Sequence, residues 1–299
     1  MHTYDHLVPQ VQGEMTLPDA MRARRMLQER FLIHDHLVPL LSRVDFLMRR
    51  PAQSRAAGLV ISGPPGSGKT MIAKALARRY PGHAPNETQP PSLPVLGISM
   101  TNAREAKTLF NRLLAALRVP DASSYVGSDR EKLVLRVCRQ ANVQLIIVDE
   151  IQDILTSTAR QQSIALDTIK FLMNELCIPV LALGTAKAPA AMQVDEHLNA
   201  RFTYRALPTW RVDAHLENLL STLEQTLPLK QPSGLGSVEI MKVLIEISGG
   251  ILDPIMKAVT YAAANAIKDG SERITVPLLE RALDDPPAWA LDNDESTAA

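Results

Sequence analysis

The sequence predicts an α/β chain: a parallel, doubly wound sheet followed by a small all-helical domain. Three observations predict it. Between residues 57 and 211, short apolar runs bounded by Gly or Pro alternate with amphipathic helical stretches. One Gly-rich stretch, ISGPPGSGKT at 61–70, joins such a run to the helical MIAKALARRY. From about Val212 onward the strand-like runs stop and only helical periods remain.

The elements follow in order. Residues 1–17 show no period and are expected as a mobile N-terminal arm. Residues 18–56 form a helical lead-in. Pro18 and Asp19 are helix-start signals, and Leu37, Leu40, Leu41, Val44, Leu47 and Met48 recur at helical spacing before Pro51. The basic side of these helices reads as solvated surface. The core at 57–211 opens with the strand AAGLVISG, the Gly-rich loop and a helix to about Tyr80. PGHAPNETQPPSLP is a surface loop, and PVLGISM is the second strand. Two helices lead to the third strand, VQLIIVDE, apolar throughout as a strand covered on both faces should be. Another helix leads to the fourth strand, CIPVLALGT, and Arg201 and Arg205 are placed just before a fifth. Residues 212–285 carry the all-helical domain, and 286–299 an acidic tail.

Composition narrows the function. The 299 residues suffice for one large domain or two smaller ones, and the apolar fraction of 46% supports a sizeable core. Aromatics are only 4%, so aliphatic side chains must fill that core. Formal net charge is +0, so any nucleic-acid contact must come from a local basic face rather than from the chain's overall field. Cys138 and Cys177 lie in apolar periodic segments without a Cys or His partner nearby, which reads as buried reduced thiols. No apolar run is long enough for a bilayer and no signal peptide opens the chain, so the expectation is a cytoplasmic protein with no membrane partner.

Two motifs carry chemistry. Gly63, Pro64, Pro65, Gly66, Ser67, Gly68, Lys69 and Thr70 match GxxxxGK[ST] between a strand and a helix. The glycines let successive backbone N–H groups of the cradle, through Met71, point at phosphate oxygens, and the helix N-terminus adds partial positive charge. Lys69 is expected on the β and γ phosphates, and the Thr70 hydroxyl on Mg²⁺. The complement is LIIVDE, where a buried strand delivers two carboxylates at its C-terminal end. Asp149 is the expected second metal ligand, usually through water. Glu150 is the expected general base for an attacking water. That pair favours ATP hydrolysis over small-molecule phosphorylation. Two weaker sites follow. Thr185 ends the fourth strand and either meets the attacking water or the γ-phosphate, or caps the strand. Arg201, or else Arg205, is either placed to reach a neighbouring subunit's nucleotide as an arginine finger, with Arg201 preferred, or a surface arginine at the domain joint.

The order of these parts resembles the AAA+ ATPases: Walker A at 63–70, Walker B at 145–150, a sensor-like Thr185, ARF at 200–202, then a helical lid. More narrowly, the chain resembles the TniB family of transposition ATPases, relatives of TnsC, IstB and the Mu phage B protein. MRRP before the first strand, VDEIQDIL, LALGT, RFTYRALPTW, ISGGILDPIMKAV and AIKDGSERIT carry that resemblance across residues 20–285. It implies ATP and Mg²⁺ as ligands and homo-oligomers, rings or helical filaments, on double-stranded DNA. It implies a DDE transposase as partner, in some members also a TniQ-type targeting protein, with hydrolysis dismantling the assembly. By the same resemblance, Arg104 and Lys107 after the second strand fall where initiator-like AAA+ proteins track the DNA backbone. A solvated helix start is the alternative for both. One departure is visible: where many AAA+ lids place a sensor-2 arginine, this chain reads GGILDPIMK, with Lys257 as the nearest cation. Two other functions fit the motifs, a helicase loader preferring single-stranded DNA and a signalling switch that binds protein partners.

Overall fold

The computed structural model describes residues 4–51, 55–84, 90–102, 105–120 and 127–291. In chain order the elements are helices α1 (Pro9–Gln12), α2 (Asp19–Met26) and α3 (Val38–Arg49), strand β1 (Gly58–Ser62), α4 (Lys69–Arg79) and β2 (Val95–Ser99). Then come α5 (Ala106–Ala116), α6 (Gly127–Gln140), β3 (Leu145–Asp149), α7 (Ala159–Leu176), β4 (Val180–Gly184), α8 (Ala188–Gln193), α9 (Glu196–Asn199) and β5 (Phe202–Ala206). Helices α10 (Ala214–Glu224), α11 (Val238–Ser248), α12 (Leu252–Lys268) and α13 (Val276–Ala282) follow. Contacts divide the chain into a sheet unit, residues 37–208, and a helical unit, residues 1–36 with 209–299.

In the sheet unit all five strands are parallel, in the order β2-β3-β4-β1-β5. The uninterrupted apolar runs have a plain cause: both faces are covered. Val60, Ile146, Val148, Val180 and Ala182 join Leu109, Leu113, Val134, Leu166 and Met173 of α5–α7 in one cluster. Their alternate neighbours Leu59, Ile61, Ile147, Leu181 and Leu183 point to the opposite face and are equally buried. Parallel strands need crossovers, and here each crossover carries at least one helix. The order also sets β1 between β4 and β5, so the loops leaving β1, β3 and β4 gather at one edge, where such sheets hold ligands.

The fold class expected from the alternation is present, and the element boundaries refine it. Arg201 precedes β5 as expected, but Arg205 lies inside it, opposite Ile61 of β1. The apolar start of β5 is a single Phe, too short a run to mark the strand's beginning in the sequence. Cys138 is buried, and burial pushes its thiol up to about 11, so it is inert. Cys177 is only half-buried, at the end of α7 with a φ of 55°, its Sγ donating to the Asn174 carbonyl.

The helical unit is organised differently from the sequence reading. The lead-in at 18–56 is divided: α2 belongs with the C-terminal helices and α3 with the sheet. Ala23 and Met26 of α2 are buried among Leu216, Leu220, Leu244, Ile255 and Leu279. Residues 4–17, read as an arm, carry two short helical turns. They are tied down by buried Leu7, by the Val8 N–H donating to the Gln225 carbonyl at 3.0 Å, and by a 3.1 Å hydrogen bond between His6 Nε2 and the Leu229 carbonyl. One anchoring leucine leaves no periodic signal, which is why the sequence hides it. Of the acidic tail, Ala288–Ala290 forms a 3-10 turn, and 292–299 lie outside the described residues.

A buried ion pair fastens α2. Arg22, 1% exposed, gives Nη2 to Glu272 Oε1 at 2.6 Å and Nη1 to Oε2 at 3.0 Å. Nη1 also donates to the Pro228 carbonyl at 3.0 Å, and Nη2 to Asp19 at 2.6 Å. Burial disfavours the Glu272 carboxylate, but Arg22 and Lys230 more than offset this and hold it below the usual range. Arg22→Ala is expected to lower the unfolding free energy by about 2–4 kcal/mol in urea titration, because it leaves the buried Glu272 carboxylate with Lys230 as its remaining cation. Arg25→Ala, removing an exposed pair with Glu14, is expected to cost about 1 kcal/mol or less.

The same unit carries a pH-sensitive core group. Trp210 is 4% exposed and meets His34 and His36 at ring-centroid distances of 5.0 and 4.5 Å. His34 is buried with both ring nitrogens unpartnered. Burial, helped by His36 and weakly opposed by Asp35, pushes the His34 imidazole down to about 4. The folded form therefore keeps it neutral, and its contribution is complete above the ordinary pKa near 6.5. It is lost as pH falls from there through the folded value. His215, paired with Asp35 at 2.9 Å, is shifted the other way, upward. Thermal unfolding at pH 7.5 and 5 is expected to show wild type losing on the order of 1–2 kcal/mol relative to His34→Leu. Equal losses in both proteins would refute the assignment.

Candidate functional site

The candidate site is built at the C-terminal ends of β1, β3 and β4. Parallel register sets Ser62 beside Gly184 and Ser99 beside Asp149, so the loops that follow these strands start at one level. The Gly-rich loop then turns into α4. Gly68 stands at the start of that helix with φ 91°, a left-handed conformation that costs other residues free energy. No side chain caps α4, whereas Thr158, Asp213 and Ser237 cap α7, α10 and α11. A Cβ on Gly63 would stand 2.7 Å from Ser67 Oγ, so the cradle closes only around glycine. The Pro64 carbonyl accepts from the Ser67 N–H, and the Met71 N–H donates to the Gly68 carbonyl at 3.0 Å. Pro65, Gly66 and Thr70 are exposed along its rim.

Lys69 is buried, and its Nζ donates to the carbonyls of Gly63 at 2.9 Å and Pro64 at 2.8 Å. The ammonium thus sits within the loop's own curl. Burial lowers its pKa, and the charges of Glu150 and Asp149 oppose that shift. The Thr70 hydroxyl donates to Asp149 Oδ2 at 3.4 Å. Burial raises the Asp149 carboxyl, while a 2.9 Å hydrogen bond from the Glu150 N–H pulls it back. Two adjacent oxygen donors, one a carboxylate disfavoured by burial, suit a hard divalent cation such as Mg²⁺. Glu150 follows with φ 55°, and the sharp turn carries its side chain out of the strand direction.

The structure therefore brings Lys69, Thr70, Asp149, Glu150 and Thr185 to one edge. Thr185 Oγ1 accepts from the Lys187 N–H at 3.4 Å, a local turn contact ahead of α8, which has no side-chain cap. Arg205 stands near the C-terminal end of β5, opposite Ile61 of β1, at the same end of the sheet. Arg201 is at the N-terminal end of β5, the opposite end of the sheet, and its Nη1 donates to Asn174 Oδ1 at 2.7 Å. Arg205 is exposed and donates to the Tyr204 carbonyl at 2.7 Å. Lys107 is exposed in the first turn of α5, and Arg104 lies outside the described residues. Lys257, in the helical unit, pairs with Asp253 one turn earlier at 2.8 Å.

A family model described as Bacterial TniB protein matches residues 22–212. The chain belongs to the TniB family. Other likenesses agree on the fold. The chain is 32% identical to spastin from Danio rerio over 206 residues, 63% of this chain and 29% of that one. It thus spans less than a third of the length of the curated relatives it matches. Among solved structures it is similar to the Aeropyrum pernix ORC2 protein in its ADPNP-ADP complexes. The TM-score is 0.61 at 17% identity, covering 87% of this chain and 71% of that one. It is also similar to the Aeropyrum pernix ORC1 protein in complex with DNA, at TM-score 0.55 and 11% identity, covering 88% and 68%. At such identities the likeness speaks for the fold, the AAA+ arrangement of a parallel sheet with a helical C-terminal part.

Two stretches that mark this TniB-family chain meet in space. The Trp210 N–H donates to the Gly250 carbonyl at 2.8 Å, and Gly250, at φ 73°, has no room for a Cβ against the Trp210 carbonyl. Trp210 of LPTW and Gly250 of SGG thus form one backbone joint within the helical unit. Two residues at the site escaped the motif reading. Arg112 of α5 donates to the carbonyls of Ser99 and Thr101, fastening the end of β2 beside Asp149. A helical arginine gives no sequence signal of that task. Gln152 bonds both Glu150 and Thr185, and its signal was present, unassigned, in VDEIQDIL. Among the described residues, no helix is long and apolar enough to cross a membrane.

Proposed function

We propose that this chain is an ATP-dependent regulator of transposition. It binds double-stranded DNA with little sequence preference, assembles on target DNA as a ring or helical filament, and recruits and activates a DDE transposase. A TniQ-type targeting protein is a further partner, and ATP hydrolysis takes the assembly apart. One observation carries the reading: in a TniB-family chain, Lys69, Thr70, Asp149 and Glu150 converge at one edge of a parallel sheet. Lys69 and the backbone N–H groups of the 63–71 cradle, which Pro64 and Pro65 cannot supply, bind the phosphates. Thr70 and Asp149 hold Mg²⁺, which when bound offsets phosphate charge. Glu150 accepts a proton from the water whose oxygen attacks the γ-phosphorus as the bond to the β-phosphate oxygen breaks, giving ADP and phosphate. Arg201 serves a neighbouring copy's nucleotide, and its distance from this chain's own loop accords with action between copies. DNA contact is assigned to the segment holding Arg104 and Lys107; that the similar ORC1 protein is in complex with DNA supports DNA binding by a chain of this fold.

Electron microscopy with double-stranded DNA and a non-hydrolysable ATP analogue tests the reading. Rings or filaments are expected only when both are present, and binding should weaken steeply with salt because phosphate contacts dominate. Preference for single-stranded DNA would favour a helicase loader instead, and particles indifferent to DNA a protein-binding switch.

A further inference from the structure

Gln152 lies two residues beyond Glu150, in the 3-10 turn Ile151–Thr156. Its side-chain amide is engaged at both ends. Nε2 donates to Glu150 Oε2, and Oε1 accepts from the Thr185 backbone N–H at 2.9 Å. A longer contact joins Nε2 to Asp153 Oδ1 at 3.4 Å. The amide therefore spans the segments that follow two neighbouring strands, the turn after β3 and the start of the loop after β4.

Three features hold this bridge. The left-handed Glu150 reverses the chain so that position 152 folds back onto position 150. Ile151 and Ile154 are fully buried and anchor the turn on either side. Gly184 leaves the space the amide uses, since a Cβ there would collide with Gln152 Oε1. An amide confined in this way has one orientation available: its acceptor is taken by a backbone N–H, so its donor must face the carboxylate. A hydrogen bond to an ionised carboxylate is directional and about twice as strong as a neutral one.

From this bridge we infer that Gln152 is a positioning residue for hydrolysis: it aims the Glu150 carboxylate and couples that aim to the backbone at Thr185. A shift of the β4 end moves the acceptor side of a planar amide, and the donor side carries the base with it. The inference rests on the proposed hydrolytic reading, in which Glu150 is the base.

The test uses the full chain with double-stranded DNA, comparing wild type, Gln152→Met, Gln152→Glu and Glu150→Gln. Methionine keeps the length and removes both bonds. Glutamate keeps an acceptor for Thr185 but sets a second carboxylate against Glu150. Both Gln152 variants are expected to lose about 10- to 100-fold in kcat, since a misaimed base costs that much. Affinity for a fluorescent non-hydrolysable ATP analogue and the KM for ATP should stay within about twofold, because the amide touches no part of the phosphate cradle. An unchanged or raised kcat in Gln152→Met overturns the inference, and so does an affinity that falls in step with kcat. Glu150→Gln separates the two ideas. If it hydrolyses ATP like wild type, the base assignment itself fails. If it is inactive while Gln152→Met is fully active, only the role of Gln152 fails.

Discussion

Lys69→Ala is expected to raise the Kd for ATP by about 10²–10³-fold, the equivalent of roughly 3–4 kcal/mol, and with it to abolish every ATP-dependent assembly. The size follows from where the ammonium sits. It is buried inside the loop's curl, held by the Gly63 and Pro64 carbonyls, with its pKa lowered by burial. A cation kept there at a desolvation cost is already in place when phosphate oxygens arrive, so little reorganisation is needed. Calorimetry with ATP and Mg²⁺ measures the change directly. Thermal unfolding of the same variant shows whether the loop's two carbonyls tolerate the loss of their donor. Unchanged nucleotide affinity in a folded variant would remove the basis for reading residues 63–71 as a phosphate cradle.

Glu150→Gln is expected to behave in the opposite way: affinity within about twofold of wild type, and turnover reduced by about 10²–10⁴-fold, the usual weight of a general base. The replacement keeps the side chain's shape, and the Gln152 amide can still donate to its oxygen. Only the ability to take up a proton goes. Because hydrolysis is proposed to dismantle the assembly, complexes of this variant on double-stranded DNA should outlive those of wild type under electron microscopy with ATP. Normal release of phosphate from the variant would place the base elsewhere.

Much of this was legible in the linear chain, for physical reasons that attach to particular residues. A strand buried on both faces must be apolar at every position, so GLVIS, LIIVD and VLALG could be read as sheet without any alternation. A phosphate cradle needs glycines and a lysine at fixed spacing, so residues 63–70 announced themselves. An acidic pair at a strand end, placed about eighty residues after that loop, pointed to Asp149 and Glu150 as its neighbours, and Thr70 does reach Asp149. Arg22 was not legible. In the sequence it is one of several cations on a basic helix, and nothing local says that Glu272 will return to neutralise it. Leu7, Arg112 and Gln152 share that difficulty, since each acts on a partner that the sequence alone does not identify.

By itself, then, the sequence determined the parallel α/β class, the Gly-rich loop and the acidic strand end, because these depend on local backbone needs and on burial that shows in composition. Only the tertiary structure decided that α2 belongs with the C-terminal helices, that LPTW and SGG form one joint, and that Gln152 ties the candidate base to Thr185. Those are pairings between distant positions, and a hydrogen bond or ion pair leaves no periodic trace in either of the segments it joins.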